Sequence, residues 1–218
     1  MPERAARKDD VSVQRRDADR TQHEILEVAT REFAERGYSG GRVDEIAAQT
    51  RTTKRMIYYY FGGKEGLFMA VLQQAYARIR ALEQQVDVDH LDPEAAIRRV
   101  AELTFDHHES HPDFIRLVSI ENTHRAEHLA KLDGLTTLNN PAVTVLEGIL
   151  SRGYETGVFR RQVDALDLHM LISAFCVFRV ANRYTFRTIF ARDMMSRRLR
   201  QRYRQMVGDM VVSYLMTE

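Results

Sequence analysis

One cysteine in 218 residues, Cys176, leaves no internal disulfide to be made, and a net charge of +1 leaves no global excess of either sign. The first absence suits a reducing compartment. With apolar neighbours around it, Cys176 reads as a buried structural thiol. The second means that any affinity for a polyanion must come from a local basic surface. Long apolar runs are missing too. Residues 1–20 are charged throughout, with no hydrophobic stretch of the kind that begins a signal peptide, and the longest apolar run, Leu168 to Ala181, is interrupted by His169 and Arg179. Neither can span a bilayer, so a cytoplasmic location is expected. No glycine-rich phosphate loop, dinucleotide fingerprint or nucleophile elbow is present, so no catalytic residue and no cofactor is expected, and the chain does not read as an enzyme. No segment alternates as a strand and no internal repeat is visible.

What is there is helical periodicity, which predicts an all-α chain. A hydrophobic content of 44% against 29% charged residues is ordinary for a water-soluble protein able to bury a core. After an arm expected to be flexible over residues 1–20, in which Arg15, Arg16 and Arg20 could lie along a polyanion, Ile25, Val28, Ala29 and Phe33 form a first apolar stripe that Gly37 ends. Leu67, Phe68, Val71, Leu72, Ala75, Ile79 and Leu82 mark a long amphipathic helix from Glu65. The pattern breaks over Val86 to Pro93. Asp92 and Pro93 then cap a helix running to Ser110, His111 and Pro112 start another through Glu121, and Pro141 opens one that ends at Gly157.

Between the first stripe and the long helix lies VDEIAAQTRTTKRMIYYYFGGK, Val43 to Lys64. Val43, Ile46 and Ala47 give a short helix with one buried face. Thr52 and Thr53 can accept from the free amides of the next turn and so start a second helix, which buries Ile57, Tyr60 and Phe61. Two short helices joined this tightly cross steeply, as in a helix-turn-helix whose second helix enters the DNA major groove. Candidate DNA contacts are Arg42, Thr52, Thr53, Lys54, Arg55, Met56, Tyr58, Tyr59 and Lys64. The cations and hydroxyls can reach phosphates or base edges, Met56 can reach a thymine methyl, and so short a helix cannot bury its whole aromatic run, which leaves Tyr59 pointing out.

Residues Thr21 to Lys64 resemble the DNA-binding domain of TetR family transcriptional regulators. The likeness runs through ILEVATREFAERGY, VDEIAAQT and KRMIYYYFGGKEGLF, in that order. It departs where Arg51 replaces the usual turn glycine, where Gly41 and Arg42 replace the usual Thr or Ser, and at Arg55 and Met56, so no operator sequence carries over. The resemblance implies a three-helix helix-turn-helix domain over 21–66 and a helical ligand-binding and dimerisation domain over 67–218. It also implies a repressor that leaves double-stranded operator DNA when a small-molecule effector binds.

For the homodimer, Leu168 to Ala181 and the stripe Tyr203, Met206, Val207, Met210, Val211, Tyr214 and Leu215 supply two helices that could pack on the same pair from a second copy. Within the domain that the resemblance assigns to an effector, the candidate lining is Leu103, Phe105, His107, Ile120, Asn122, His124, Phe175, Phe178, Arg179 and Asn182, a mixture of aromatic and polar groups. The region Pro112 to Arg183 is also loosely similar to family members that sense pyrimidines. A rival chemistry is spelled by His124, Glu127 and His128. H-x-x-E-H on a helix would place two imidazoles on a zinc ion with a glutamate beside its water, and His107 and His111 form a second i, i+4 pair. Nothing singles out a third ligand, so no metal is expected, and a metal-binding protein or zinc hydrolase stands as the alternative.

Overall fold

The computed structural model describes residues 3–84, 88–132 and 134–217. The described residues hold ten α-helices and no strand: α1 (Glu3–Gly40), α2 (Val43–Ala48), α3 (Lys54–Phe61), α4 (Lys64–Gln84), α5 (Pro93–Ser110), α6 (Pro112–Thr123), α7 (Leu135–Glu155), α8 (Ala165–Ala181), α9 (Arg183–Phe190) and α10 (Arg197–Met216). They form two compact units. One comprises residues up to Gln74 together with Ile120–Leu132; the other comprises Ala75–Ser119 and Asp133–Glu218. Helices α4 and α6 are therefore each divided between the units, and the expected boundary at 66 falls within the first of them.

In the first unit, Ile25, Val28, Ala29 and Phe33 of α1 are buried, as are Ile46, Ile57, Leu67 and Phe68. Phe33 and Phe68 pack edge to face with centroids 5.0 Å apart. Each such side chain contributes about 1.5–3 kcal/mol by leaving water, enough for a few of them to hold helices too short to persist alone. Gly37, at φ 71°, breaks α1 where the sequence expects a stop. Residues 3–20 differ from expectation: they are helical and continuous with α1, where their composition predicts a flexible arm. Charged helix formers can extend a helix that is already nucleated. Met1 and Pro2, and the side chains of Arg15 and Arg16, lie outside the described residues.

The second unit is a bundle of α5, α7, α8 and α10 around Ile97, Phe105, Leu150, Leu168, Ile172, Val207 and Val211. The Asp92 carboxylate accepts from the Ala95 amide at 2.9 Å, capping α5 as its sequence predicts. Cys176 is buried in this core, and burial pushes its thiol up to about 12, so it stays protonated and unreactive. Between α5 and α10, Arg200 pairs with Asp106 and Glu109 at 2.6 Å each, and Arg204 pairs with Glu102 and Asp106. Helix α7 begins at Leu135, six residues before Pro141, so Pro141 removes one amide from the ladder without starting the helix. Residues 85–87, within the expected break at Val86 to Pro93, and Asp133 lie outside the described residues. Helix α9 went unpredicted because Asn182 closes α8 and opens α9 without a proline or glycine to announce the break.

Candidate nucleic-acid interface

The second short helix is fixed at both ends by local chemistry. Thr53 at the N-cap of α3 accepts from the Met56 amide through its hydroxyl at 3.3 Å. At the other end Gly62, at φ 74°, donates its amide to the Tyr58 carbonyl at 2.8 Å, a left-handed cap that a side chain would strain. One face is anchored by fully buried Ile57, while Tyr60 and Phe61 are half-buried rather than buried. The opposite face carries Lys54 and Arg55, both exposed, with Tyr58 at 47% and Tyr59 at 77% exposure. The tyrosine expected to point outward does so.

The start of α2 is held by a residue the sequence did not single out. Arg42 at the N-cap makes no side-chain cap; instead its amide donates to Oε1 of Glu32 on α1 at 3.1 Å. Glu32 is 5% exposed and also pairs with Arg36 at 3.4 Å. A carboxylate ten residues upstream thus does the work usually given to a local Ser or Thr, and nothing in a short motif could have signalled it. Gly41 is required beside it, since a Cβ there would lie 2.5 Å from the Phe33 ring. Arg51 takes no left-handed conformation, and its amide donates to Glu24 at 3.3 Å, so this turn needs no glycine.

Of the nine candidate contacts, Arg42, Thr53, Lys54, Arg55, Tyr58 and Tyr59 are exposed, while Thr52, Met56 and Lys64 are half-buried. Three cations already have partners, Arg42 reaching Glu45 of α2 at 3.9 Å. Lys54 reaches Asp44 of α2 at 2.7 Å, which holds the Asp44 carboxyl below its ordinary value and raises the lysine. Lys64 donates to the Ser39 carbonyl at 3.1 Å and sits over the Tyr38 ring. Among the described residues no ion pair is seen for Arg55, the other cation on α3, which stands close in sequence to the exposed tyrosines.

The zinc alternative loses its geometry. Helix α6 ends at Thr123, and Arg125 and Ala126 take φ of 57° and 58°, so residues 124–128 form a turn and not a helix. His124 is exposed, whereas His128 is buried with its Nδ1 2.8 Å from Oε1 of Glu121, and Glu127 turns to Lys131 at 3.7 Å. Glu121, 1% exposed, also accepts the amides of His128 and Leu129, and the His128 ring packs on Tyr38 and Phe68. This is a structural knot inside the first unit. Among the described residues no group of three or more His, Cys, Asp or Glu side chains could hold a metal ion.

The candidate effector residues fall in both units. Ile120, Asn122 and His124 belong to the first unit and the other seven to the second. Among those seven, Phe105 and His107 are buried, Leu103, Phe175 and Asn182 are half-buried, and Phe178 is 50% exposed. Arg179 is buried but engaged, donating to the Met194 carbonyl at 3.0 Å, pairing with Glu109 at 3.2 Å and lying 4.0 Å over the Phe105 ring.

A short capped helix with cations and aromatics facing outward, braced by a second helix on a three-helix core, defines a helix-turn-helix DNA-binding transcriptional regulator. Comparison with known proteins carries the assignment to a family. Residues 25–71 match the bacterial regulatory proteins of the tetR family, and residues 93–211 match the tetracyclin repressor-like C-terminal domain. The chain belongs to the TetR family of transcriptional regulators. It is 33% identical over 200 residues to the HTH-type transcriptional repressor NicS of Pseudomonas putida, covering 92% of this chain and 94% of that one. It is 34% identical over 163 residues to the repressor SCO4008 of Streptomyces coelicolor, covering 73% and 78%. A crystal structure of the putative transcriptional regulator SCO4942 from Streptomyces coelicolor superposes with a TM-score of 0.65 at 25% identity, over 89% of this chain and 97% of that one.

Proposed function

We propose that the protein is a homodimeric repressor that binds a two-fold operator through α3 and is released by a small-molecule effector held in the second unit. The observation that carries the reading is the outward face of α3, where Arg55, Tyr58 and Tyr59 stand exposed on a helix whose other face is anchored by Ile57. Arg55 and Tyr59 would read base edges, while Arg42, Thr52, Thr53, Lys54 and Lys64 would serve mainly to position the backbone. One helix of this length reaches few bases, and a two-fold pair doubles them.

The dimer reading is supported by α8 and α10, each buried along one face and apolar along another. Leu166, Met170 and Phe178 are 60%, 65% and 50% exposed on α8, and Met206, Met210 and Tyr214 are 37%, 36% and 38% exposed on α10. The α10 set recurs every four residues and the α8 set at intervals of four and eight, along the ridge that interlocks with a like ridge from another helix. An effector acts by contacting the DNA-incompetent state better than the competent one, and the continuous helices α4 and α6 supply covalent paths between the units. The site of action would be the cytoplasm, where operator DNA is reached.

The test is binding of the full chain to DNA from the region upstream of its own gene, titrated with salt. Affinity is expected to fall by about 10³–10⁵ between 50 and 200 mM salt, as 6–10 phosphate contacts would require, and to resist competitor DNA. Binding that ignored salt, or that bulk DNA competed equally, would end the repressor reading.

A further inference from the structure

Charge is shared unevenly along the chain. Arg183 to Arg204 holds eight arginines against one aspartate, Asp193, a surplus of seven in a chain whose net charge is +1, so all the other residues together sum to −6. Arg200 and Arg204 are paired with carboxylates of α5. Arg187, Arg192, Arg197, Arg198 and Arg202 are exposed, and no ion pair is seen for them among the described residues. The same segment puts apolar side chains in water. Ile189 is 71% and Phe190 63% exposed, and the chain then turns through Ala191 at φ 51°, so residues 189–192 form a tip exposed throughout. The base of this tip is fixed. Phe190 packs on Phe186 at 4.7 Å and Phe186 on Phe178 of α8 at 6.2 Å, while the Tyr184 hydroxyl accepts from Arg183 at 2.8 Å and from Arg116 of α6 at 3.3 Å. Past the turn, the Met194 side chain is buried and its carbonyl accepts from Arg179 at 3.0 Å.

What covers such a surface must suit both its arginines and its apolar tip. Duplex DNA offers phosphates to the arginines but little apolar surface to Ile189 and Phe190. A second copy seated there across a two-fold axis would set this arginine-rich segment against itself. An anionic bilayer suits both. Lipid phosphates match guanidinium forks, and the headgroup boundary takes an isoleucine and a phenylalanine out of water. A negatively charged leaflet attracts clustered basic residues within a Debye length, and apolar side chains inserted beside them hold the contact.

We propose that α9 and the start of α10 dock the protein on an anionic bilayer surface, with Ile189 and Phe190 entering the headgroup boundary and the exposed arginines lying on lipid phosphates. This contact uses neither the operator face nor the effector residues. The experiment is sedimentation of the full chain with vesicles of phosphatidylglycerol and phosphatidylcholine in equal parts, against vesicles of phosphatidylcholine alone. Binding to the mixed vesicles is expected to be tighter by about tenfold or more and to weaken as salt is raised. Ile189→Ser with Phe190→Ser, and separately Arg192→Gln with Arg197→Gln and Arg198→Gln, should each lose about tenfold or more. No residue of α9 is buried, so the serine pair should leave the thermal midpoint in place. Arg55→Ala should bind the mixed vesicles as the unsubstituted chain does. The proposal is overturned if the mixed vesicles bind no better than the neutral ones, or if the serine pair binds them undiminished, since charge alone would then suffice. It is overturned equally if Arg55→Ala abolishes vesicle binding, which would place the contact on the DNA face, or if the serine pair turns a dimer into a monomer, which would seat a second copy on the tip.

Discussion

The two units treat their buried polar groups in opposite ways. In the DNA-binding unit every buried carboxylate or imidazole described above is engaged: Glu32 holds the Arg42 amide, and Glu121 holds the side chain and amide of His128 and the amide of Leu129. In the second unit His107 is buried with both nitrogens unmatched, while apolar side chains stand in water on α8 and α10. The difference follows from where each unit meets its partner. A surface that must present charges to DNA in a fixed register needs an interior that does not shift, and satisfied buried groups hold it still. On the function proposed above, a unit that takes a ligand inside itself and a second copy against its side would leave those groups unmatched until they arrive.

The largest effect should come from breaking the satisfied interior. Replacing Glu121 by Leu strands the buried His128 ring and two amides, and should cost about 3–5 kcal/mol. A urea midpoint that did not move would show that the first unit does not depend on its buried pair. Acid should act on the other side of the comparison. Burial drives His107 down to about 3 and His108 to about 4 from an ordinary 6.5. Folded, each binds fewer protons than unfolded between those values, so its contribution is complete above pH 6.5 and drains away as pH falls toward 4. The slope is about 1.4 kcal/mol per pH unit for each group. Hydrogen exchange at pH 5 should show amides of α5 losing protection before those of α3, and the reverse order would break the comparison.

Smaller effects sharpen the account of the DNA face. Arg55→Ala should weaken operator binding by about 1–3 kcal/mol and relax preference at one base position, measured on a panel of single-base variants. Lys64→Ala should do least, because its ammonium is already held by the Ser39 carbonyl. It is expected to weaken all sequences alike and lower the salt slope by about one. If both variants shifted every operator equally, the division between reading and positioning residues would fail.

Much of this was legible in the sequence where the cause is local. Thr53 as a cap, Gly37 as a stop, Asp92 before Pro93, and the exposed Tyr59 all follow from residues within a turn or two of the feature they control. The misses have distant or absent local causes. Glu32 caps α2 from ten residues away, Glu121 meets His128 only because the chain turns through two left-handed residues, and α9 begins without a breaker. The H-x-x-E-H spacing misled because spacing implies a helix that Arg125 and Ala126 do not form. Composition cannot tell Arg179, which donates to the Met194 carbonyl and pairs with Glu109, from His107, both of whose ring nitrogens lack a hydrogen-bond partner among the described residues.

The DNA-binding unit is discontinuous along the chain, taking residues up to Gln74 and then Ile120–Leu132. During synthesis its helix-turn-helix emerges early but lacks the segment carrying Glu121 and His128, whose ring closes over Tyr38 and Phe68. The head cannot complete its interior until residue 132 has left the ribosome, well into the chain that forms the other unit. A nascent or clipped fragment ending near Gln74 would carry the α3 reading face on an unfinished core, so a broken copy of the regulator would not occupy the operator in place of an intact one.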